Sequence, residues 1–120
     1  MSFSLQAKKA ITNIKSEQSK VVRGTLLGIF TRTIKRTPVV SGRLRNNWHT
    51  SIGQVSSGTR GENKAGTEST SDANQGISNF KIGDDVYFSN NLPYAERIEN
   101  GGFAKAPAGM LKVSISEVTL

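Results

Sequence analysis

The stretch TPVVSGRLRNNW, residues 37–48, decides where the chain changes from helix to sheet. The ring of Pro38 disfavours helical backbone at the residue before it, so a helix that arrives from the N-terminal side ends here. Gly42 then permits a turn. Beyond the turn, Leu44 and Trp48 share one face of a predicted strand. This arrangement directs both side chains towards the preceding helix, and we expect them in the core.

Upstream of this stretch, apolar residues recur at the spacing of an amphipathic helix. From Ala7 to Phe30 they follow one another in steps of three and four, with Gln18 as the one polar member. Ser4 is suited to be the N-cap. The pattern therefore predicts one long helix over residues 4–36, with its Lys and Arg side chains on a solvated face.

Downstream of the stretch, the sequence predicts a strand over residues 44–52 and then a segment with almost nothing to bury. Residues 54–76 are rich in Ser, Thr, Gly, Asn and Glu. We expect a mobile polar loop there, because ordering costs roughly 1–2 kcal/mol per residue and few apolar groups offset it. A hairpin follows, with strands over residues 78–82 and 86–90 joined by a Gly-Asp-Asp turn.

The last part of the chain predicts short helices. Residues 94–99 form one, closed by Asn-Gly-Gly, whereas the period of residues 108–120 fits either a helix or a strand. We therefore expect one α+β domain over residues 1–120, in which a long N-terminal helix packs on a small antiparallel sheet, with a long flexible loop and short C-terminal helices. The expected core consists of Val22, Leu26, Ile29, Leu44, Trp48, Phe80, Ile82, Val86, Phe88, Tyr94 and Ile98.

The composition excludes several classes of protein. The 120 residues include no cysteine, so disulfides and cysteine-based zinc sites are excluded, and the single histidine, His49, excludes a His-rich metal site. His49 falls on the predicted polar strand face, and Asp84 and Asp85 follow a glycine as in an ordinary turn. We expect no catalytic, metal or cofactor-binding residues, and no enzyme. No apolar run approaches the roughly 20 residues needed to span a bilayer, and the N-terminus lacks a signal-peptide pattern, which favours the cytoplasm.

The net charge of +7 is divided unevenly along the chain. Residues 1–60 hold eleven Lys and Arg and one acid, whereas residues 61–120 hold five Lys and Arg and eight acids. Such a division suits head-to-tail contact between copies, or a ring whose basic face looks at DNA. It is equally compatible with basic side chains that merely solvate a helix.

A second stretch, NNLPYAERIENGG at residues 90–102 with KAPAGM at residues 105–110, accompanies the first. The pair, in this order and separated by a variable loop, resembles the small tail-completion or neck proteins of long-tailed bacteriophages, including minor tail proteins of the lambda Z type. The resemblance runs from the end of the predicted helix to Met110. It implies an α+β ring subunit without catalytic residues that joins the head connector to the tail. Its partners would be other copies of itself and the connector and tail-tube proteins, with DNA in the lumen as a further contact, and its location the virion, assembled in the host cytoplasm.

Five charged residues are the candidates for partner or DNA contact. Arg43 and Arg45 flank Leu44 on the outer strand face, where they are either solvated or in contact with a partner. Glu96, Arg97 and Glu99 are expected to point outward from the short helix, where a local ion pair and a contact between subunits are both open.

Two other classes of function compete with the phage assignment. A basic nucleic-acid-binding protein would suit the charge, but such modules interleave aromatic with basic residues, and the aromatics of the basic half fall at apparent core positions. A small hydrolase or toxin is disfavoured because the sequence carries no catalytic constellation.

Overall fold

The computed structural model describes residues 3–6, 19–101 and 109–117, with side chains from residue 20 onward. The expected α+β class is confirmed. The elements in chain order are β1 (Phe3–Gln6), α1 (Ser19–Arg36), a 3-10 helix (Arg45–Asn47), β2 (Trp48–Ile52), α2 (Thr67–Ser78), β3 (Val86–Asn90), α3 (Ala95–Glu99) and α4 (Leu111–Glu117).

The sheet has three strands in the order β1-β3-β2, and both pairings are antiparallel. Phe88 of the central strand lies opposite Leu5 on one side and Thr50 on the other. The predicted hairpin is wrong, because residues 78–82 form the end of α2 and the turns after it rather than a strand. Two alternating apolar residues were too short a pattern to distinguish a strand from a buried turn.

The N-terminal prediction is wrong in part. Residues 3–6 form β1, whose backbone pairs with β3, so Ser4 is not an N-cap. Helix α1 begins at Ser19 in the described part of the chain, and residues 7–18 of the predicted helix lie outside the described residues. The helical spacing of side chains carries no information on whether the backbone of a short segment pairs with the edge of a sheet.

Helix α1 packs on the sheet through three stacked aromatic rings. We call this group of rings the apolar centre. Phe88 of β3 stacks on Phe30 of α1 at 4.2 Å between ring centroids and on Trp48 of β2 at 4.7 Å, with nearly parallel planes in both pairs. Eight of the eleven predicted core residues are buried, and Ile29, Ile82 and Tyr94 pack partly buried against them. The buried hydrophobic residues missing from the prediction are Phe30, Ile34, Ala73, Ile77, Leu92, Ala95, Met110 and Leu111.

The expectation of a loop over residues 54–76 is wrong at its C-terminal end, where α2 begins at Thr67. Residues 54–66 are irregular, as expected. Helix α2 covers the outer edge of β2 with polar side chains: Ser69 Oγ accepts the backbone N–H of Trp48 at 2.9 Å, and Asp72 Oδ2 accepts that of Thr50 at 2.8 Å. The edge of the sheet is thus closed by side chains instead of by another strand.

Side chains that face the segment 54–66, together with Arg60 of that segment, form a second unit. We call this unit the polar network, and it consists of Asn46, Asn47, Arg60, Glu68 and Asp72. Asn46 exchanges two 3.0 Å hydrogen bonds with Glu68, and Asn47 exchanges bonds of 2.6 and 2.9 Å with the backbone of Arg60. Arg60 pairs with Asp72 at 2.8 Å and donates to the carbonyl of Trp48. The network therefore orders a segment that has few apolar groups to bury.

Two further expectations are settled by the backbone. The predicted strand over residues 44–52 begins only at Trp48, because residues 45–47 form the 3-10 helix. Residues 111–117, for which helix and strand were both open, form α4. Helix α4 lies against α1, where Glu117 accepts from Arg36 at 2.8 Å.

Candidate functional site

The two stretches singled out in the sequence meet at one surface groove of about 350 Å³. One wall comes from residues 38–44, in the turn between α1 and the 3-10 helix. The other comes from the start and outer face of α3. The lining residues are Pro38, Val40, Ser41, Gly42, Arg43, Leu44, Tyr94, Arg97 and Ile98.

A buried asparagine holds the two walls together. Asn90, the last residue of β3, donates from Nδ2 to the carbonyl of Leu44 at 3.0 Å, and its Oδ1 accepts the backbone N–H of Leu92 at 3.2 Å. Because a buried amide without partners costs free energy, these bonds fix the spacing of the walls.

The first wall needs glycine at one position. Gly42 has a φ of +86°, and a Cβ there would overlap the backbone of Asn63 and Lys64. Its carbonyl accepts from the backbone N–H of Asn46 at 3.0 Å. The turn is thus pressed against the segment 54–66, and only glycine fits without strain.

The ends of the first stretch are also joined to each other. Trp48 Nε1 donates to Thr37 Oγ1 at 2.9 Å, and Thr37 Oγ1 donates to the carbonyl of Thr33 at 2.6 Å. All three residues are buried. The Thr and Trp of this stretch therefore serve as a hydrogen-bonded brace between α1 and β2.

The expectation that Glu99 points outward is wrong, since only 1% of its surface is exposed. Its carboxylate accepts the backbone N–H groups of Met110, Leu111 and Lys112, each at 2.8 Å. These groups have no partner within the helix at the start of α4, and a carboxylate there also complements the helix dipole. Gly109 allows the approach, because a Cβ there would lie 2.5 Å from the Glu99 carbonyl oxygen. Glu99 fixes α3 to α4 and is not displayed to a partner.

Arg45 is likewise placed differently from the expectation of an exposed strand face. Its guanidinium donates to the carbonyls of Lys35 at 2.8 Å, Thr37 at 3.0 Å and Lys64 at 3.1 Å. The reason is the 3-10 helix, which turns the side chain back towards the end of α1. Arg45 is a structural clamp.

Arg43 and Arg97 are exposed and lie on the two walls of the groove. Within the described residues, neither guanidinium makes a hydrogen bond or ion pair. Glu96 is half-buried beside Arg97 on α3. Of the five candidate residues, the structure therefore brings two together as available cations on one surface.

Val40 was overlooked in the sequence although it is 79% exposed on the groove wall. Its signal was available: two consecutive valines stand in a turn, where polar residues are usual. An exposed apolar side chain thus lines the same groove as the two cations.

His49, which the sequence placed on the polar face of the strand, is buried, with only 7% of its surface exposed. Burial lowers the pKa of its imidazole, the positive charge of Arg60 lowers the pKa further, and Asp72 acts in the opposite direction. In the described residues its Nε2 has no hydrogen-bond partner. Burial and the charge of Arg60 thus favour the neutral form of the ring.

Among residues 3–6, 19–101 and 109–117, no three His, Cys, Asp or Glu side chains are grouped as metal ligands would be. In the same part of the chain, no helix is long and apolar enough to cross a membrane. Comparison of the chain with protein-family models, with curated proteins and with solved structures gave no match.

Proposed function

We propose that this protein is a structural subunit of a bacteriophage virion that joins the head connector to the tail, as a tail-completion or neck ring subunit acting by oligomeric assembly. The observation that carries the proposal is the meeting of residues 37–48 with residues 90–99 at one groove. The resemblance to phage neck proteins was drawn from these two stretches.

The residues of the two stretches divide into those that build the groove and those displayed in it. Thr37, Gly42 and Asn90 hold its walls by buried contacts. Val40, Arg43 and Arg97 stand exposed on it. A rigid surface with an apolar side chain and two cations can bind another protein without any chemical step, as assembly requires.

The alternative, a basic nucleic-acid-binding protein, has less support because five of the seven arginines are engaged in internal hydrogen bonds. The arginines with hydrogen bonds to other parts of the chain are Arg23, Arg32, Arg36, Arg45 and Arg60. Phe30, Trp48, Phe80 and Phe88 are fully buried, so none of them offers a stacking surface to a base.

The direct test is imaging of virions assembled without the protein. Filled heads separate from complete tails are expected, because the joint would lack its subunit. Normally joined particles would refute the proposed function.

A charge-reversed variant tests whether the groove takes part. Arg43→Glu with Arg97→Glu should leave the monomer folded, because both side chains are exposed, yet should block joining of heads to tails. Lys20→Glu with Lys35→Glu is the matched control, since it changes the charge equally at two exposed sites of α1. Normal titre with the groove variant would mean that Arg43 and Arg97 are only solvated.

A further inference from the structure

We propose that residues 54–60 form an acid-sensitive cover over one face of the sheet, which opens when His49 takes up a proton. We name these residues the cover segment. Its opening uncovers the face of β2 and β3 that is turned away from the apolar centre. The proposal goes beyond the assembly function and does not depend on it.

The face that the cover segment spans carries His49 of β2 and Ser89 of β3. Side chains alternate along a strand, so these two point away from Trp48 and Phe88, which stack in the apolar centre. His49 lies directly opposite Ser89 in the register of the two strands. Both are buried, with 7% and 0% of their surface exposed. Another part of the chain must therefore lie over them.

The cover segment is fastened to the sheet by side chains at its start and in its middle. At its start, Ser51 Oγ donates to the Gln54 carbonyl at 2.7 Å. In its middle, Asn91 Nδ2 donates to the carbonyls of Ser56 at 3.1 Å and Gly58 at 2.9 Å. The cover segment is thus bonded both to β2 and to the residue that follows β3.

The path of the cover segment takes it past His49. Its first anchor on β2 is Ser51, and its last residue, Arg60, exchanges bonds of 2.6 and 2.9 Å with Asn47. His49 lies midway between these two anchors in the sequence. The cover segment therefore runs back along β2 and encloses the imidazole on the side opposite the apolar centre.

Beneath the cover segment, two polar atoms are buried without a partner. Neither His49 Nε2 nor Ser89 Oγ makes a hydrogen bond to any of the residues that the structure describes. A buried polar group without a partner costs free energy, which water recovers when the group is exposed. The closed state is therefore stabilised by the backbone anchors and opposed by the groups that it covers.

The charges around His49 make its protonation oppose closure. Burial lowers the pKa of the imidazole most, and the positive charge of Arg60 on the cover segment lowers it further, whereas Asp72 of α2 raises it. The remaining titratable residue on this face of the two strands is Tyr87, a neutral phenol. Strand β1, with the sequence FSLQ, has no titratable residue. An imidazolium under the closed cover segment is thus poorly solvated and beside a like charge.

Opening of the cover segment and proton uptake are therefore coupled. In the open state water reaches the imidazole, so that state binds a proton at a higher pH than the closed state does. As the pH falls from the ordinary value of 6.5 through the lowered pKa of the closed state, the open population rises. The sheet can stay paired meanwhile, because the anchors are side-chain bonds outside the ladder of β2 and β3.

Hydrogen exchange of the cover segment, corrected for the intrinsic effect of pH, measures the opening at roughly pH 7.5 and roughly pH 5.5. Opening should be several-fold more frequent at the lower pH, while β3 changes little, and His49→Gln should remove this dependence. Asn91→Ala is the matched control, because it removes the middle anchor and keeps His49. Its exchange should rise at both pH values and remain pH-dependent. A pH dependence that persists in His49→Gln, or a rise shared equally by β3, would overturn the proposal.

Since the sequence contains no cysteine, a thiol introduced under the cover segment supplies a second readout that retains His49. The thiol of Ser89→Cys is buried in the closed state, so a thiol reagent reaches it only on opening. Its labelling rate is divided by that of Val21→Cys, exposed on α1, so that the effect of pH on thiol reactivity cancels.

The ratio of the two labelling rates should rise several-fold from the higher to the lower pH. A constant ratio refutes the acid-sensitive cover, and it does so even where His49→Gln fails to fold. Neither result bears on the joining of heads to tails, which virion imaging tests separately.

Discussion

The apolar centre and the polar network hold different parts of this chain by different means. In the apolar centre, three aromatic rings from α1, β2 and β3 stack in full burial. In the polar network, amides, a guanidinium and carboxylates fasten the segment 54–66 and helix α2 to the edge of the sheet. The first depends on volume and contact, and the second on the completeness of its hydrogen bonds.

The difference shows that scarcity of apolar residues does not by itself make a segment unstructured. Residues 54–66 contribute little to the core, yet their carbonyls are bound by Asn46, Asn47 and Asn91 from outside the segment. Such bonds are specific in geometry and each is modest in net free energy. The two regions should therefore respond differently to substitution.

The largest effect should follow from emptying the apolar centre. Phe88→Ala removes the ring that contacts both Phe30 and Trp48, and we expect the free energy of unfolding to fall by about 3–5 kcal/mol. Urea denaturation followed by circular dichroism measures it. Ile115→Ala, at a position 40% exposed on α4, is the control and should cost much less. Equal losses for the two variants would contradict the role of the stack.

A smaller loss should follow from opening the polar network. Asn47→Ala leaves the backbone N–H and C=O of Arg60 without their side-chain partner, at a cost of about 1–3 kcal/mol. Hydrogen exchange in residues 54–66 should rise while that of β3 changes little. Asn74→Ala, at an exposed position of α2, is the matched control and should change stability by less than about 0.5 kcal/mol. Unchanged exchange in residues 54–66 would mean that the network does not hold the segment.

These contrasts show what the sequence could and could not predict. Period and alternation identified the α+β class and most of the core, because burial of Val22, Leu26 and Trp48 leaves a pattern in the side chains. The order provided by Asn46, Asn47 and Arg60 leaves no pattern of this kind, since each bond joins residues 13 to 22 positions apart. Helix α2 was therefore missed.

The candidate surface was predicted only in part for the same reason. Arg43 and Arg97 are exposed as expected, and their presence on one groove depends on the Asn90 bond to Leu44, 46 positions away. Glu99 was misplaced because a five-residue helix has too few side chains for a period to identify its buried face. Only the structure of the segment that follows shows why the Glu99 carboxylate is buried, because it accepts backbone N–H groups of that segment.

The pH dependence of stability should sharpen the comparison, because His49 interacts electrostatically with Arg60 and Asp72 of the polar network. Its pKa in the folded chain lies below the ordinary value of 6.5, mainly through burial. As the pH falls below 6.5, the unfolded chain binds the proton first, so the free energy of unfolding decreases until the folded pKa is passed. The free energy of unfolding is measured against pH for the unchanged protein and for His49→Gln. The difference between the two profiles isolates the contribution of His49 from that of the carboxylates. A difference profile that is flat below pH 6.5 would show that the histidine is solvated.

The smallest effect is expected at a glycine outside the two regions, Gly24, and Gly42 in the groove wall provides the contrast. Gly24 lies in the exposed part of α1, and a Cβ there meets nothing within 4 Å in the described chain, so Gly24→Ala should stabilise the protein by up to about 1 kcal/mol. Gly42→Ala should instead destabilise it, because its φ is positive and the backbone of the segment 54–66 is in contact. Thermal unfolding of both variants measures the sign, and a loss of stability in Gly24→Ala would show that the open face of α1 is covered.

The position of Trp48 has a practical consequence. It is the one tryptophan of the chain, fully buried, stacked on Phe88 and bonded to Thr37. Its emission should therefore be blue-shifted and shielded from soluble quenchers in the folded protein, and should move to longer wavelength on unfolding. The groove lies just beyond Leu44 on the same stretch of chain. The natural sequence thus contains an optical reporter of its own folding, and groove variants can be checked for correct structure without any label.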